Sequence, residues 1–450
     1  LLRRRRTELS SILIFIPRLI PNKDTTLRDL KGEGSPIFAY FCQMRNQNQG
    51  QLEFIILMAA LMSSVALALD ALLPALDLIG IAVGNTDPSK NQWLVTLFFL
   101  GAGTGPLLFG PISDSVGRKP VVYIGFGLFI LASWLCVVSE NLSWMILGRF
   151  LQGVALSAPR TISIAMIRDK FSGDFMARIM SFVTVVFILV PVIAPTLGKG
   201  ILDLYGWKAI FYFQVVFGLL VAGWFWLRQP ETLQVKDRTT FRPVVLIRGF
   251  KEVLQYRRSL IFTMIWGLIT GSFLVYLSTS QLIFEVQYKA EELFPYLFAA
   301  LAITIGTATF LNGSLVVRLG MRKLIAVSLI SFTLIGLVYV MIFQGRPNPS
   351  LEVLMLFLCL QFFAIGFLFG NLRAMAMEPL GHIAGLGTAI TGFLATIFSV
   401  ALSSWIGSYV QQTAYPMFLG FTICGLLSLA LLAYSQYRLR QGAVRRSAKS

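Results

Sequence analysis

Ionisable side chains stand inside long apolar stretches of this 450-residue chain. Asp70 lies in LALDALLPALDLIG, ahead of Pro74, and Arg149 lies in LGRFLQG, ahead of Gln152. If these stretches cross a membrane, each charge costs about 2.5–3.5 kcal/mol or more unless it faces protein or water. Such residues are usually retained because they bind a proton, an ion or a polar substrate. The alternatives are an interfacial carboxylate at Asp70 and an Arg149 side chain that extends to the interface.

The apolar stretches themselves are the elements that must position these charges. Hydrophobic residues make up 56% of the chain and charged residues 13%, which is more apolar surface than a soluble core can bury. A helix that crosses a bilayer needs about 20 mostly apolar residues. Twelve stretches qualify: Leu52–Ile81, Gln92–Ile112, Val121–Ser139, Trp144–Ile167, Phe175–Gly198, Ile210–Leu227, Leu260–Phe284, Leu293–Val317, Leu324–Phe343, Leu351–Met377, Ile383–Val410 and Tyr415–Tyr437. The sequence predicts an all-α membrane protein with twelve transmembrane helices in two pseudo-symmetric six-helix bundles.

The positive charges indicate an orientation and a division of the chain. The formal net charge is +17, and the lysines and arginines cluster in alternate connections between the apolar stretches. This pattern favours cytoplasmic termini in a bacterial-type inner membrane over nucleic-acid binding. The longest polar interval separates the first six stretches from the last six. We predict an N-terminal cytoplasmic tail or extension at residues 1–51, a first bundle at 52–227, a cytoplasmic linker at 228–258, a second bundle at 259–437 and a basic cytoplasmic tail at 438–450.

Motifs for covalent chemistry and metal binding are missing from the sequence. The cysteines occur singly, and the chain has one histidine, His382; we expect no metal site and no disulfide framework. His382 lies in a short GHIAG segment, where a turn residue is favoured over a proton relay. There is no phosphate-binding loop and no nucleophile with a base. We expect no cofactor and no enzyme activity.

The connection between the second and third stretches has a specific pattern, GPISDSVGRKP. Its glycines, Gly110 and Gly117, permit a tight turn between closely packed helices, and Asp114 can pair with a cation. Arg118 and Lys119 favour the cytoplasmic side. A weaker version, RLGMRK at 318–323, follows the eighth stretch, as expected of a duplicated fold.

These motifs resemble those of a known family. GPISDSVGRKP is similar to the major facilitator signature G-x-x-x-D-R-x-G-R-K, with Ser115 at the usual first arginine. The chain further resembles the drug:proton antiporters of the bicyclomycin- and chloramphenicol-resistance type. The segments that carry this resemblance are DALLPAL at 70–76, GPISD at 110–114, RFLQG at 149–153, IRD at 167–169, PVIAPTLG at 191–198, and FGN with GHIAG within 369–385.

The resemblance implies proton-coupled multidrug efflux by alternating access. Asp70 would exchange a proton and sense substrate, Arg149 would tune this carboxylate or help to move protons, and Gln152 would belong to the same proton-coupling or substrate site. Pro191, Pro195 and Gly198 would bend the fifth span at a rocking interface, or merely kink it. The implied partners are protons, a small amphipathic compound and the lipid bilayer, with the monomer as functional unit. The alternatives are a metabolite exporter or uptake symporter of the same superfamily and, less favoured, a membrane scaffold or membrane enzyme.

Several further polar residues lie at membrane depth and are weaker candidates. They are Arg160, Asn371, Arg373 and Glu378. Arg373 and Glu378 are five residues apart. This spacing is compatible with a lateral ion pair, an intracellular gate or an interfacial helix end. The aromatic residues Trp266, Tyr276 and Tyr339 are candidates for lining a substrate cavity.

Overall fold

A computed structural model describes residues 36–85, 87–240 and 243–447, and these residues form α-helices and short helical turns but no strand. The predictions for residues 1–35 lie outside the described residues. The helices are α1 Pro36–Asp70, α2 Leu76–Ala82, α3 Trp93–Val116, α4 Arg118–Val138, α5 Leu142–Lys170, α6 Gly173–Tyr205, α7 Trp207–Arg228, α8 Pro243–Gln255, α9 Arg257–Gln281, α10 Phe294–Leu319, α11 Met321–Phe343, α12 Leu351–Met377, α13 Ala384–Gly407 and α14 Tyr415–Ser447.

These helices match the predicted membrane crossings. Ten segments of the described residues are long and apolar enough to cross a membrane, and one of them, residues 351–407, contains both α12 and α13. The predicted span Phe175–Gly198 lies within α6, a 33-residue helix. The all-helical prediction is confirmed.

The first predicted crossing, Leu52–Ile81, is not one continuous helix. The α1 helix ends at Asp70, a 3-10 turn covers Leu73–Ala75, and α2 continues from Leu76. Pro74 has no N–H to donate to the carbonyl of Asp70, and its ring opposes a regular helix at this point. The break therefore follows directly from the proline, and it places Asp70 at a helix end.

Helices from the two halves of the chain pack together along two seams. The first seam joins α3 to α13, and the second joins α6 to α10. Along the first seam Gly103 faces Thr396, and the Gln92 side-chain amide donates to the Gly407 carbonyl at 3.0 Å. The two halves are thus in contact along both seams, and the helices of the first seam run antiparallel.

The bundle has one end rich in positive charge, which we call the basic end. It contains the α3–α4 turn, the α5–α6 turn, the α10–α11 turn and α8. Gly117 and Gly320 have φ values of +109° and +79°, which glycine adopts readily. The two halves therefore use the same kind of turn at equivalent places, as the repeated Gly-x-Arg-Lys and Gly-Arg-Lys patterns indicated.

The interval between the two halves, predicted from sequence only as a polar linker, contains the amphipathic helix α8. Val253 and Phe250 pack against Leu380 and Ile390 at the basic end of the second half. His382 contacts the Glu252 carboxylate. The structure places this part of the linker on the second half.

Candidate functional site

Asp70 is buried at the end of α1, with 4% of its surface exposed. Its carboxyl group forms no hydrogen bond or ion pair with any residue that the structure describes. An ionised carboxylate in such a place is costly unless something neutralises it. The geometry fits a group that alternates between a bound proton and a bound polar or cationic ligand.

Arg149 is completely buried and does not form an ion pair with Asp70. Its Nε donates to the Leu94 carbonyl at 3.1 Å, and Nη1 donates to the Ala68 carbonyl at 3.2 Å. The guanidinium also lies over the Phe98 ring, 4.4 Å from its centroid. The charge thus connects α5 to α3 and to the last turn of α1, two residues before Asp70, and does not extend to an interface.

Gln152 extends this network from α5 to α4. Its Oε1 accepts from Arg149 at 2.8 Å, and its Nε2 donates to the Ser133 hydroxyl on α4 at 2.7 Å. Gln214 on α7, which we did not select from the sequence, also donates to the Ala68 carbonyl at 3.4 Å. The main chain just before Asp70 is therefore held by side chains from two other helices.

Gly198 brings α6 against the helix break that follows Asp70. A Cβ added at Gly198 would lie 2.7 Å from the carbonyl carbon of Ala71 and 2.9 Å from its Cα, closer than real Cβ contacts. Pro195, three residues earlier, is buried, whereas Pro191 is partly exposed, and both lie inside the continuous helix. Of the helix-bend motif predicted from sequence, Gly198 therefore contacts the main chain beside Asp70.

Tyr276 of the second half faces the same region. The Asp70 carboxylate lies within electrostatic range of the Tyr276 hydroxyl, which has no hydrogen-bond partner among the described residues. The Tyr276 ring packs edge-on against Phe362, with centroids 4.7 Å apart. Tyr339 stacks on Phe418 in a second aromatic cluster, together with Phe343 and Phe357. Of the two tyrosines proposed for a cavity, Tyr276 is the one beside Asp70.

The α3–α4 turn at the basic end is held together by Arg118. This residue pairs with Asp114 at 2.5 Å and with Asp169 of α5 at 2.9 Å. Its Nη1 also donates to the Ser113 hydroxyl at 2.7 Å. These ion pairs stay within the first half and fix the α3–α4 turn to the end of α5. Gly110 has open space around it, and Lys119 extends to the Trp226 carbonyl at 3.4 Å.

Glu231, which sequence reasoning missed, caps the same turn. Its carboxylate accepts from the backbone N–H groups of Arg118 and Lys119, both at 3.0 Å, and of Thr232 and Leu233 at 2.9 and 3.0 Å. The first two belong to the N-terminus of α4, where negative charge is favourable. Burial acts to raise the pKa of Glu231, but the four donors outweigh it and hold that pKa below its ordinary value. No local sequence signal joins a glutamate to a turn more than 110 residues away.

This arrangement predicts an acid-sensitive turn. The pKa of Glu231 is lower in the folded protein than in the unfolded chain, where it has its ordinary value of about 4.3. The ionised carboxylate therefore contributes its full stabilisation of the fold above that pH, and the contribution is lost as the pH falls through the pKa of the folded state. We expect Glu231→Gln to lower the melting temperature at pH 7 by about 1–2 °C. Below pH 4.5 the melting temperature of the variant should fall less steeply with decreasing pH than that of the unaltered protein. Glu292→Gln, at an exposed carboxylate near the opposite end, is the control. Equal melting curves for all three proteins between pH 7 and pH 3.5 would contradict the assignment.

The weaker candidates divide into paired and unpaired residues. Asn371 donates to the Asn312 side chain at 2.8 Å, which joins α12 to α10. Glu378 pairs with Arg258 at 2.5 Å, so the lateral pair with Arg373 considered from the sequence does not form. Arg160 and Arg373 form no ion pair with any described residue.

The fold and site define a class: a many-helix membrane protein in which two packed halves enclose buried ionisable groups. The family model of the Major Facilitator Superfamily matches residues 54–401. The chain belongs to this superfamily and is a transporter, as the resemblance implied, and the prediction that it is not an enzyme is confirmed.

Known relatives agree with this assignment. The chain is 28% identical over 413 residues to the bicyclomycin resistance protein homolog of Haemophilus influenzae, covering 86% of this chain and 97% of that protein. It is 27% identical over 368 residues to the multidrug resistance protein MdtL of a Shewanella species, covering 81% and 91%. The crystal structure of the D-xylose-proton symporter shares the fold, with a TM-score of 0.64 at 14% identity, covering 84% of this chain and 97% of that one.

Proposed function

We propose that the protein exports small amphipathic compounds in exchange for protons by alternating access. The observation that carries the proposal is Asp70, a buried carboxyl group without a described partner at a helix break. Proton-coupled transport needs a group whose charge changes during the cycle, and this position supplies one. The relatives named for bicyclomycin and multidrug resistance support export of drug-like compounds.

The proposed cycle assigns roles to the remaining residues. A proton reaching Asp70 from outside neutralises the carboxylate and releases the compound, and loss of the proton to the cytoplasm restores the charge. Arg149, itself bound by Gln152, holds the main chain beside Asp70, while Gly198 transmits motion of α6 to the helix break. Arg118, Asp114 and Lys119 keep the first half rigid at the basic end.

Orientation and assembly are part of the same proposal. The basic end is assigned to the cytoplasm because positively charged connections are retained there. Both termini then lie in the cytoplasm of a cell with a bacterial-type inner membrane. The twelve crossings at 52–227 and 259–437 form two bundles around one pathway, and the monomer is the transporting unit, with lipid as its solvent.

Drug accumulation in a host that lacks its own exporters tests the proposal. We expect cells with the intact protein to accumulate bicyclomycin, chloramphenicol or ethidium about tenfold less than cells with an empty plasmid, since one proton supplies enough energy for such a ratio. A protonophore should abolish the difference. Uptake of a sugar or an organic acid without export of any of these compounds would contradict the proposal and favour a symporter.

A further inference from the structure

A buried hydrogen bond joins the two halves at the end of the bundle opposite the basic end, which we call the far end. Gln92 lies immediately before α3, and its side-chain amide donates to the carbonyl of Gly407, the last residue of α13, at 3.0 Å. Gln92 has 4% of its surface exposed, and Gly407 is buried. The contact therefore lies at the far-end limit of the first seam and is shielded from water.

The second half approaches Gln92 so closely that only glycine fits at Gly407. A Cβ added there would overlap the Gln92 side-chain oxygen and lie 3.2 Å from its carboxamide carbon. The Gly407 carbonyl also accepts a hydrogen bond from the Val410 N–H at 3.0 Å, so it keeps a partner if Gln92 moves away. The contact is thus close-fitting and can still separate without leaving this carbonyl unpaired.

The position of Gln92 is fixed by its neighbours in the first half. The Asn91 side chain beside it donates to the Asp77 carboxylate of α2 at 3.1 Å. A Cβ added at Gly80, also in α2, would lie 2.7 Å from the carboxamide carbon of Asn91. Because α2 continues from the helix break beside Asp70, the inter-half contact is attached to the same segment as the candidate proton site.

The ion pairs described at the basic end differ, because each of them stays within one half. Arg118 pairs with Asp114 and Asp169 of the first half, and Arg258 pairs with Glu378 of the second. The buried polar contact at the far end joins the halves instead. This distribution fits a conformation in which the halves are held together at the far end.

The strength and place of the far-end contact suit a reversible step. A neutral hydrogen bond contributes a modest net stability, because water bonds to both partners once they separate. Gly103, which meets Thr396 across the same seam, is eleven residues from Gln92, about 16 Å along the helix. Halves that rock about the middle of the seam separate most at its ends, so the Gln92 contact breaks early in opening.

We propose that Gln92 and Gly407 form a latch, a contact that keeps the pathway closed at the far end and must break before cargo leaves there. The inference rests on the proposed alternating access and names a contact that sets the balance between its two conformations. Loss of the latch favours the conformation that is open at the far end.

Distances between spin labels, measured by double electron–electron resonance on the purified protein in lipid nanodiscs, test the latch. The native cysteines are replaced by alanine, and labels at Glu140 and Arg346 report on the far end. Labels at Arg168 and Arg322 report on the basic end, and all four side chains are exposed. We expect Gln92→Leu to raise the ratio of far-end-open to far-end-closed molecules about fivefold, the effect of one neutral hydrogen bond. The basic-end labels should approach each other in the same fraction of molecules.

Two further variants make the test specific. Gln287→Leu removes hydrogen bonds to the Gln411 carbonyl at 3.1 Å and from Asn348 at 3.0 Å, at the same end but within the second half. This control should leave both distance distributions unchanged. Gly407→Ala should open the far end, because its methyl group displaces the Gln92 side chain. In a Gln92→Ala background the same change should have little further effect, since the colliding carboxamide is absent.

Three results would overturn the inference. They are an unchanged open fraction in Gln92→Leu, an equal shift in Gln287→Leu, and a wider far-end distribution without any change at the basic end, which would show local loosening. The distances require neither cargo nor a proton gradient. Failed drug export together with the expected shift in Gln92→Leu would therefore contradict the proposed function and still support the latch.

Discussion

Replacing Asp70 with asparagine is expected to abolish proton-driven export while leaving the protein folded. Asparagine has nearly the same shape but cannot change charge, and no described hydrogen bond or ion pair of Asp70 is lost. A membrane potential of 100 mV supplies about 2.3 kcal/mol per proton, which corresponds to about 50-fold accumulation. In proteoliposomes with an imposed pH gradient and potential, the variant should lose this accumulation and retain only downhill movement of substrate.

The matched control is Asp77→Asn, about two turns further along the same crossing. Asp77 accepts a hydrogen bond from Asn91 at 3.1 Å, so this carboxylate already has a structural partner. We expect the control to accumulate substrate nearly as well as the unaltered protein. Full accumulation by Asp70→Asn under the same gradient would exclude Asp70 as the coupling group.

Replacing Gly198 with alanine should reduce transport by at least about tenfold, because the new methyl group collides with the main chain of Ala71. Main-chain atoms cannot move aside as a flexible side chain can, and such overpacking typically costs about 1–3 kcal/mol. The collision pushes α6 away from the helix break beside Asp70. Initial efflux rates, normalised to the amount of folded protein, measure the effect.

Gly200→Ala supplies the comparison within the same helix. A Cβ at Gly200 would meet nothing within 4 Å, so the variant changes helix propensity but not packing. We expect its efflux rate to equal that of the unaltered protein and its melting temperature to be equal or slightly higher, because alanine favours a helix more than glycine does. If Gly198→Ala has the same efflux rate as Gly200→Ala, close contact of α6 with Ala71 is not needed for transport.

Much of this fold could be predicted because hydrophobic length alone defines a membrane crossing. The predicted spans correspond to helices in order, and Pro74 even marks the position of the break after Asp70. The effect of that proline was missed because a proline is tolerated in many membrane helices, and only neighbouring contacts decide whether the helix continues. The helix α8 was not predicted because its segment is polar on average, and that average does not reveal that the apolar residues lie on one face of a helix.

The candidate site could be predicted only in part. Charges at membrane depth pointed to Asp70 and Arg149, since an apolar surrounding makes any charge conspicuous. The partners of Arg149 are main-chain carbonyls, which every residue possesses and no sequence pattern reveals. Glu231 and Gln214 likewise act through tertiary contacts with residues far away in the chain. Whether the chosen residues couple protons to export stays a prediction.

The contact between His382 and Glu252 gives the protein an internal spectroscopic reporter. Because the chain contains a single histidine, isotope labelling of that amino acid yields imidazole signals from one site. This site lies where α8 docks on the second half, so its chemical shifts would report whether the docking persists as the transporter changes conformation. Movement of the connection between the halves could thus be followed in lipid without introducing any label by mutation.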